Sequence, residues 1–446
     1  MRDVLLLLMM LASLPYAFKR PIVGVLVYAV FSLMSPHRLS YGFAYYFPFA
    51  MILAAVTVLS LLASKEQKKL PFTPPVIQLM LFTAWITLTT FFAQNPDGAW
   101  TEWNRVIKTM LMTFLTIMTV RTVNDVKALL LTIGLSLGFW GFKGGVWTIL
   151  SGGHNGVLGP QNTYIGDNNT LALAMVTTVP LLVALAGIAP TKWTKRIALG
   201  LAVLTAVSAL GSYSRGALLG GLAMAFFLWL KSNSKAKTGA VLLLLIPILL
   251  TAMPAEWTGR MHTIDNYQED GSAMGRINAW QFAINVANHF PLGGGFICFT
   301  APMYQQFAPN PNYVVVAHSI YFQVLGEHGY LGLFLFLILF FLMWRTGTRI
   351  IRKCGTNPEY AWALVTARMC QVSIIGYLTA GAFLAMAFYE LPYYILAVLV
   401  SIEKVLFLAP QPDNTPPMYV PFLMPKPKPR PGGQVGAAAS TRLPRR

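Results

Sequence analysis

The chain alternates between long apolar runs and short polar connectors over almost its whole length. The runs are roughly 14 to 27 residues long, close to the ~20 residues that a helix needs to cross about 30 Å of hydrocarbon. This pattern predicts an all-α integral membrane protein, a polytopic bundle of about 12 to 13 transmembrane helices. The predicted spans begin near Val4, Pro21, Phe43, Val76, Val106, Val126, Leu171, Ile197, Ala217, Ala240, Ala317, Ala361 and Tyr393.

The first two runs are short, and only Lys19 and Arg20 separate them. They form either a tight hairpin or a partly interfacial pair, which leaves the side of the N-terminus open. A cleaved signal peptide is disfavoured because no small-residue cleavage site follows the first run.

Composition agrees with a membrane protein, since 56% of the residues are hydrophobic and 11% are charged. The net charge of +18 is concentrated in alternate connectors, which the positive-inside rule assigns to the cytoplasmic side. These basic segments are residues 65–69, 121–127, 192–196, 231–237 and 345–353 and the chain after Lys404. The remaining connectors, residues 254–316 among them, are then predicted to face the periplasm. Topology therefore explains the charge, and a nucleic-acid partner is not expected.

Two regions differ in composition. Residues 1–408 contain the apolar runs and form the predicted membrane bundle. Residues 409–446 are rich in proline and basic residues and lack an apolar face, which predicts a disordered cytoplasmic tail. Such a tail is either simply solvated or in contact with anionic lipid.

The chemistry-bearing residue types indicate a reaction that needs no metal and no cofactor. The six histidines are scattered, the three cysteines form no CxxC pair, and there is no Asp-x-Asp sequence of the kind that holds a divalent ion. A GxxxxGK[ST] phosphate-binding loop is also missing, which argues against an ATP-driven pump. The one GxSxG match, GLSLG, lies in an apolar run and is interpreted as chance.

Residues 254–316 form a connector of about sixty residues, too long for a simple link between spans. It predicts a structured periplasmic loop that caps a lateral, lipid-accessible cavity. Within it, Ile277, Trp280, Ile284 and Ala287 follow a helical spacing, and Pro291 and the glycines at 293–295 end the pattern. This helix is expected on the outer membrane face, and it either belongs to a site or merely rests on lipid.

Several arginines lie in the predicted outer connectors, against the positive-inside rule. Arg215 occurs in GSYSRGALLG and Arg276 in GSAMGRINAW, and Arg38 and Arg105 are further cases. Each one either reaches headgroups or pairs with an acid, or several converge on an anion. A planar guanidinium suits phosphate oxygens, so a diphosphate is the anion that such a cluster would fit.

The stretch VVVAHSIYFQVLGEHG places His318 at the outer mouth of a predicted span, with Glu327 and His328 deeper in the same helix. Glu327 and His328 are interpreted mainly as interhelical hydrogen-bond partners, with a place in a cavity as the alternative. A neutral imidazole at the surface can take a proton from an attacking hydroxyl, while outer arginines stabilise a departing diphosphate. These residues favour group transfer from a diphosphate-linked lipid to an alcohol on the outer face.

The chain resembles a known family in these same segments. AHSIYFQVLGEHGYLGLFLF, preceded by GRINAW and PLGGG in one large outer loop, is similar to the O-antigen ligase superfamily, which also contains O-antigen polymerases. GSYSRG and GPQNTYIGDNNTLALA follow the order expected of that superfamily. The early block MSPHRLSYGFAYYFPFA resembles the O-glycosylation ligases found beside exosortase systems.

The resemblance implies an inverting, metal-independent glycosyltransferase of the bacterial inner membrane with its site facing the periplasm. Its donor would be a glycan on undecaprenyl diphosphate, and its acceptor a hydroxyl of lipid A core, a protein or another glycan. Carried over to this sequence, Arg215 and Arg276 would hold the diphosphate and His318 would be the general base. Asn168 and Arg38 join Glu327 and His328 as candidates to line the cavity.

Three functions remain open from the sequence: a glycan ligase, a polymerase of the same superfamily, and a non-enzymatic transporter or lipid flippase. The acceptor distinguishes the first two. The third predicts charged residues deep in the spans and helices broken at mid-membrane, and Glu327 and Lys143 keep it open.

Overall fold

The computed structural model of the protein describes residues 1–64, 68–232, 234–251, 253–262 and 271–408. These residues form helices and no strand, which confirms the predicted all-α class. The predicted tail, residues 409–446, lies outside the described residues. The α-helices are α1 (Arg2–Lys19), α2 (Pro21–Ala29), α3 (Phe49–Ala63), α4 (Pro74–Phe91), α5 (Pro96–Thr119), α6 (Val123–Leu150), α7 (Asn168–Gly187), α8 (Lys192–Leu210), α9 (Arg215–Lys231), α10 (Lys235–Thr251), α11 (Ala255–His262), α12 (Gly271–His289), α13 (Ala301–Phe307), α14 (Ile320–Cys354), α15 (Ala361–Gly381) and α16 (Glu390–Glu403).

Every predicted span coincides with one of these helices, and the polytopic membrane architecture is confirmed. By length and composition, seven helical segments of the described chain are long and apolar enough to cross a membrane. This number is lower than the predicted 12 to 13 because several apolar runs form shorter helices, such as α9 and α10 with 17 residues each. The seven are Pro74–Phe91, Val123–Leu150, Asn168–Gly187, Lys192–Leu210, Ile320–Cys354, Pro358–Gly381 and Glu390–Leu408.

The centre of the bundle is α7, which is buried along 83% of its apolar window. Small residues let its neighbours approach closely. The Cβ position at Gly134 of α6 lies 2.5 Å from a methyl carbon of Leu185, and the hydroxyl of Ser373 on α15 donates to the carbonyl of Thr177. Close packing of small residues with interhelical hydrogen bonds is typical of helices in a membrane, where no hydrophobic effect drives them together.

Helix α14 is broken near its start, at Gly329, whose φ of +68° is outside the helical region. The carbonyl groups of Gly326 and Glu327, next to this break, accept hydrogen bonds from the N–H groups of Gly294 and Gly295, each 2.8 Å long. The residues of the glycine run at 293–295 have no side chains, which allows this close backbone approach to α14.

Residues 271–319 carry a small hydrophobic core of their own. Ala279, Phe282 and Val286 of α12 pack against Cys298 and Tyr304 in this core. The helix predicted over residues 276–290 is present. Of its predicted apolar stripe, Ala287 is buried, Ile277 and Trp280 are half-buried, and only Ile284 is exposed. The buried positions are those that face the residues 298–304 segment and α14, a packing partner that spacing alone does not reveal.

We expect Gly293→Ala to lower the stability of the protein by at least about 2 kcal/mol, because Gly293 has a φ of +79° and an added Cβ would lie 2.5 Å from the backbone nitrogen of Gly329. The measurement is the midpoint of thermal unfolding in detergent micelles. Gly200→Ala is the matched control, because nothing lies within 4 Å of a Cβ at Gly200 and alanine favours the helix. Equal midpoints for the two variants would contradict the proposed docking of residues 293–295.

Candidate functional site

Side chains of the GRINAW segment hydrogen-bond and pack α12 against the chain that leads to His318. The indole N–H of Trp280 donates to the carbonyl of Ala317 at 2.9 Å, and the Trp280 ring stacks on Phe322 with centroids 5.0 Å apart. The side-chain amide of Asn278 donates to the carbonyl of Asn310 at 2.9 Å and accepts from the N–H of the same residue at 2.8 Å. Arg276 lies one helical turn before Trp280, so these contacts hold Arg276 beside the segment that ends at His318.

His318 precedes Ser319, the N-cap of α14, in a left-handed conformation with φ of +44°. Its side chain is half-buried. Burial lowers the pKa of the His318 imidazole, the positive charge of Arg276 lowers it further, and the carboxylate of Asp167 partly opposes them. The imidazole is therefore neutral at neutral pH and able to accept a proton. The electrostatic influence of Arg276 and Asp167 places both residues near His318.

Arg215 is the first residue of α9, and two side chains fix the turn before it. The Ser214 hydroxyl caps the helix by accepting from the N–H of Ala217, and the side-chain amide of Asn168 donates to the carbonyl of Ser212 at 2.8 Å. Asn168 follows Asp167, which caps α7 through the N–H groups of the next turn. Asn168, a predicted cavity residue, thus connects the turn before Arg215 to Asp167, whose carboxylate raises the pKa of His318.

The first turns of α9 and α14 meet the same end of α15. A Cβ at Gly216 would lie 3.1 Å from the Cβ of Phe383, and a Cβ at Gly381 would lie 2.8 Å from a methyl carbon of Ile320. The Tyr321 hydroxyl also donates to the carbonyl of Leu378 at 2.9 Å. Because Arg215 precedes Gly216 and His318 lies just before Ile320, the structure brings Arg215, Arg276 and His318 to one end of the bundle.

Glu327 and His328 are buried among helices, with exposed fractions of 3% and 0%. The Nδ1 atom of His328 is 2.7 Å from the hydroxyl of Thr89 on α4, and the indole N–H of Trp85 donates to the His328 carbonyl. A carboxyl oxygen of Glu327 accepts from the N–H of Ile297 at 3.3 Å. Both side chains therefore support the junction of α4, α14 and the glycine run, as interhelical partners do.

Arg38 does not line the site of Arg215, Arg276 and His318. It lies in the wall of a separate polar cavity of about 150 Å³. Its guanidinium is 4.7 Å from the centroid of the Tyr45 ring. Arg105 and Glu390 line the same cavity. Within the described ranges, no three His, Cys, Asp or Glu side chains are grouped as a metal site would need.

Sequence reasoning missed Asp167, Trp280 and Asn278 as residues that shape the site. One signal was available for Asp167, because an aspartate directly before an apolar helical run is a typical N-cap. The fixing roles of Trp280 and Asn278 had no local signal, since each contacts a segment more than thirty residues away along the chain.

Comparison with known families divides the chain into two parts. Residues 200–337 match the family model described as O-Antigen ligase, and residues 1–189 match a family of unknown function (DUF5935). No curated protein matches the chain. The first match contains Arg215, Arg276 and His318, whereas Arg38 and Asn168 fall in the second.

We expect substitutions at Arg276 and Asp167 to move the pKa of His318 in opposite directions. Arg276→Gln removes a positive charge and raises that pKa, while Asp167→Asn removes a negative charge and lowers it further, with the helix cap kept by asparagine. The measurement is the pH dependence of His318 modification by diethyl pyrocarbonate, which reacts with neutral imidazole, read by mass spectrometry. Exposed His289 is the internal control, and a shift of the same sign in both variants would contradict this geometry.

Proposed function

Because the chain belongs to the O-antigen ligase superfamily, we propose that it transfers a glycan from undecaprenyl diphosphate to an acceptor hydroxyl. Transfer would take place with inversion, without a metal ion, at the periplasmic face of the bacterial inner membrane. The observation that carries the proposal is the presence of two guanidinium groups and a neutral imidazole at one end of the bundle, on the starts of α9 and α14 and on α12.

In this mechanism the acceptor oxygen attacks the anomeric carbon of the donor sugar while Nε2 or Nδ1 of His318 takes its proton. The bond between the anomeric carbon and the diphosphate oxygen breaks on the opposite face, and its electron pair stays on the diphosphate. Arg215 and Arg276 stabilise this added negative charge with planar donors that match phosphate oxygens. The products are the new glycoside and undecaprenyl diphosphate, and the imidazolium then returns its proton to water.

An apolar groove beside Arg215 supports a lipid-linked donor. It has a volume of about 370 Å³ and lies among α7, α8, α9 and α10, with Val179, Ala206, Leu218 and Leu245 in its walls. Ser214, next to Arg215, lines the same groove. A polyprenyl diphosphate has an apolar chain and an anionic head, as an apolar groove beside an arginine requires. The first isoprene units would lie in the groove when the diphosphate contacts Arg215.

The acceptor is one of three classes: a glycolipid, another glycan or a protein. Membrane lipids would surround the bundle. A polymerase differs from a ligase only in using another lipid-linked glycan as acceptor. The transporter alternative is weakened by the break in α14, because protein N–H groups bind the carbonyls beside it. In a transporter, such carbonyls line the cavity that carries the substrate.

We expect His318→Asn to reduce glycan transfer by about 10²-fold or more while the donor still binds. Asparagine tolerates the left-handed backbone that His318 adopts, so this variant removes the base with little added strain. The measurement is glycan transfer by purified protein with EDTA present and a bare membrane extract as the acceptor source.

The control variants distinguish the loss of the general base from the loss of diphosphate binding and from damage to the fold. Arg215→Gln and Arg276→Gln should lose transfer together with donor affinity, whereas Arg196→Gln, an exposed arginine near the start of α8, should keep both. Full activity of His318→Asn would exclude the general-base role, and no transfer by the wild type to any acceptor in the extract would favour the transporter.

We expect Gly221→Phe to raise the KM for the undecaprenyl donor about tenfold and to leave a short-chain donor analogue unaffected. Gly221 lines the apolar groove, and the nearest atom to an added Cβ is a methyl carbon of Val176 at 4.0 Å, so the larger ring enters the groove. Gly200→Phe, on the exposed face of α8, is the matched control. Equal effects on the long and short donors would place the lipid chain elsewhere.

A further inference from the structure

A second polar cavity, of about 150 Å³, lies between the N-terminal part of the chain and the start of α16. Its walls are the turn that contains His37 and Arg38, Arg105 of α5, the connector at residues 162–165, and Glu390. Nearly all of these residues belong to the segment that matches the family of unknown function. The mechanism described above assigns them no role.

The charged side chains of this cavity are arranged around it without neutralising one another directly. Arg105 is 3.8 Å from Glu102, and across the described ranges no ion pair joins Glu390 to Arg38 or Arg105. The buried Nε of Arg38 and Nδ1 of His37 have no hydrogen-bond partner in the part of the chain that the structure describes. Burial, and then the charge of Arg38, lower the pKa of His37 to about 4, so its ring is a neutral donor and acceptor. The cavity wall at His37 and Arg38 therefore keeps polar groups that the protein itself does not satisfy.

The walls are fixed by contacts of their own. The Asn162 side-chain amide donates to the Tyr45 hydroxyl at 2.8 Å, and the Tyr164 hydroxyl donates to Glu102 at 3.1 Å. The guanidinium of Arg105 lies 3.4 Å from the centroid of the Tyr164 ring. A cavity with its polar groups held in place before binding loses little conformational entropy when a ligand enters.

We propose that this cavity binds a sugar ring of the acceptor through two neighbouring hydroxyl groups. Guanidinium groups and a carboxyl group on different walls suit a neutral diol, in which one hydroxyl accepts from arginine and the other donates to Glu390. The carboxyl group of Glu390 gives a phosphate no hydrogen-bond donor when it is ionised, and Arg38 and Arg105 disfavour a cation. The mixed lining thus favours a neutral polyol over either ion.

The sugar bound in this cavity is assigned to the acceptor because the cavity and His318 share two chain segments. This assignment rests on the proposed function. The connector that supplies residues 162–165 continues to Asp167, whose charge acts on His318. On the other side, Glu390 follows Ala387, whose N–H donates to the side chain of Gln323 at 3.1 Å, on the first turns of α14. Two chain segments therefore border both the cavity and the His318 site.

The test measures thermal unfolding of the full chain in nanodiscs free of sugar-headed detergent. The probes are the methyl pyranosides of glucose, galactose and N-acetylglucosamine and, separately, inorganic phosphate. We expect at least one pyranoside to raise the unfolding midpoint of the wild type, and Arg38→Gln and Glu390→Gln each to weaken its affinity about tenfold or more. Arg215→Gln should keep the pyranoside effect and lose that of phosphate, while Arg196→Gln should keep both.

The outcomes separate this inference from the proposed function. Pyranoside binding that persists in both Arg38→Gln and Glu390→Gln, or that is absent from the wild type, overturns the sugar site even if the protein transfers glycan. Binding that requires Arg38 in a protein without transfer activity supports the site and removes the proposed function. In the transfer assay, Arg38→Gln should raise the acceptor KM about tenfold with an unchanged donor KM, and the opposite result overturns the acceptor assignment.

Discussion

The hydrogen bonds between the glycine run and the broken helix hold the rest of the site in place. Gly294 and Gly295 donate their N–H groups to the carbonyls of Gly326 and Glu327, beside the break in α14. A backbone polar group buried without a partner costs about 1–3 kcal/mol in a protein and more in hydrocarbon. This pairing fixes the glycine run after α12 against α14, and the contact of Trp280 with Ala317 fixes α12 at a second point. Arg276 and His318 are thereby held by one connected set of contacts.

Strained backbone conformations occur where these contacts meet the rest of the bundle. His318 and Tyr213, which lies two residues before Arg215, both have positive φ, and so does Ile297 beside the glycine run. Each such residue costs roughly 1–3 kcal/mol, which the surrounding contacts must offset. The Tyr213 hydroxyl, for example, donates to the carbonyl of Gly153 at 2.6 Å. Strain at these positions fits a site whose side chains are aimed before substrate arrives.

The sequence was informative where a local period or motif carries the information. Apolar runs predicted the positions of the helices, and the 276–290 helix was found from its spacing together with Pro291 as its end. The predicted stripe did not include Phe282 and Val286, which pack against residues 298–304, because no local pattern indicates that contact. The proximity of Arg215 and His318 was beyond sequence reasoning for the same reason, since it depends on Gly216 and Ile320 both packing at the end of α15. The GRINAW motif also combines one candidate binding residue, Arg276, with two that hold the scaffold.

Under the proposed function, the charges at this end of the bundle would assign the donor and the acceptor to two different places. At the end of the bundle that carries His318, the cations Arg215 and Arg276 outnumber the carboxylate of Asp167, and an excess of positive charge would stabilise a leaving diphosphate. In the second cavity, arginines face the carboxyl group of Glu390, and this balance suits a neutral hydroxyl-bearing group. A donor and an acceptor that both carry sugars are then distinguished by the anion that only the donor has. Under the proposed function, His318 would take the proton of the acceptor hydroxyl as the diphosphate departs.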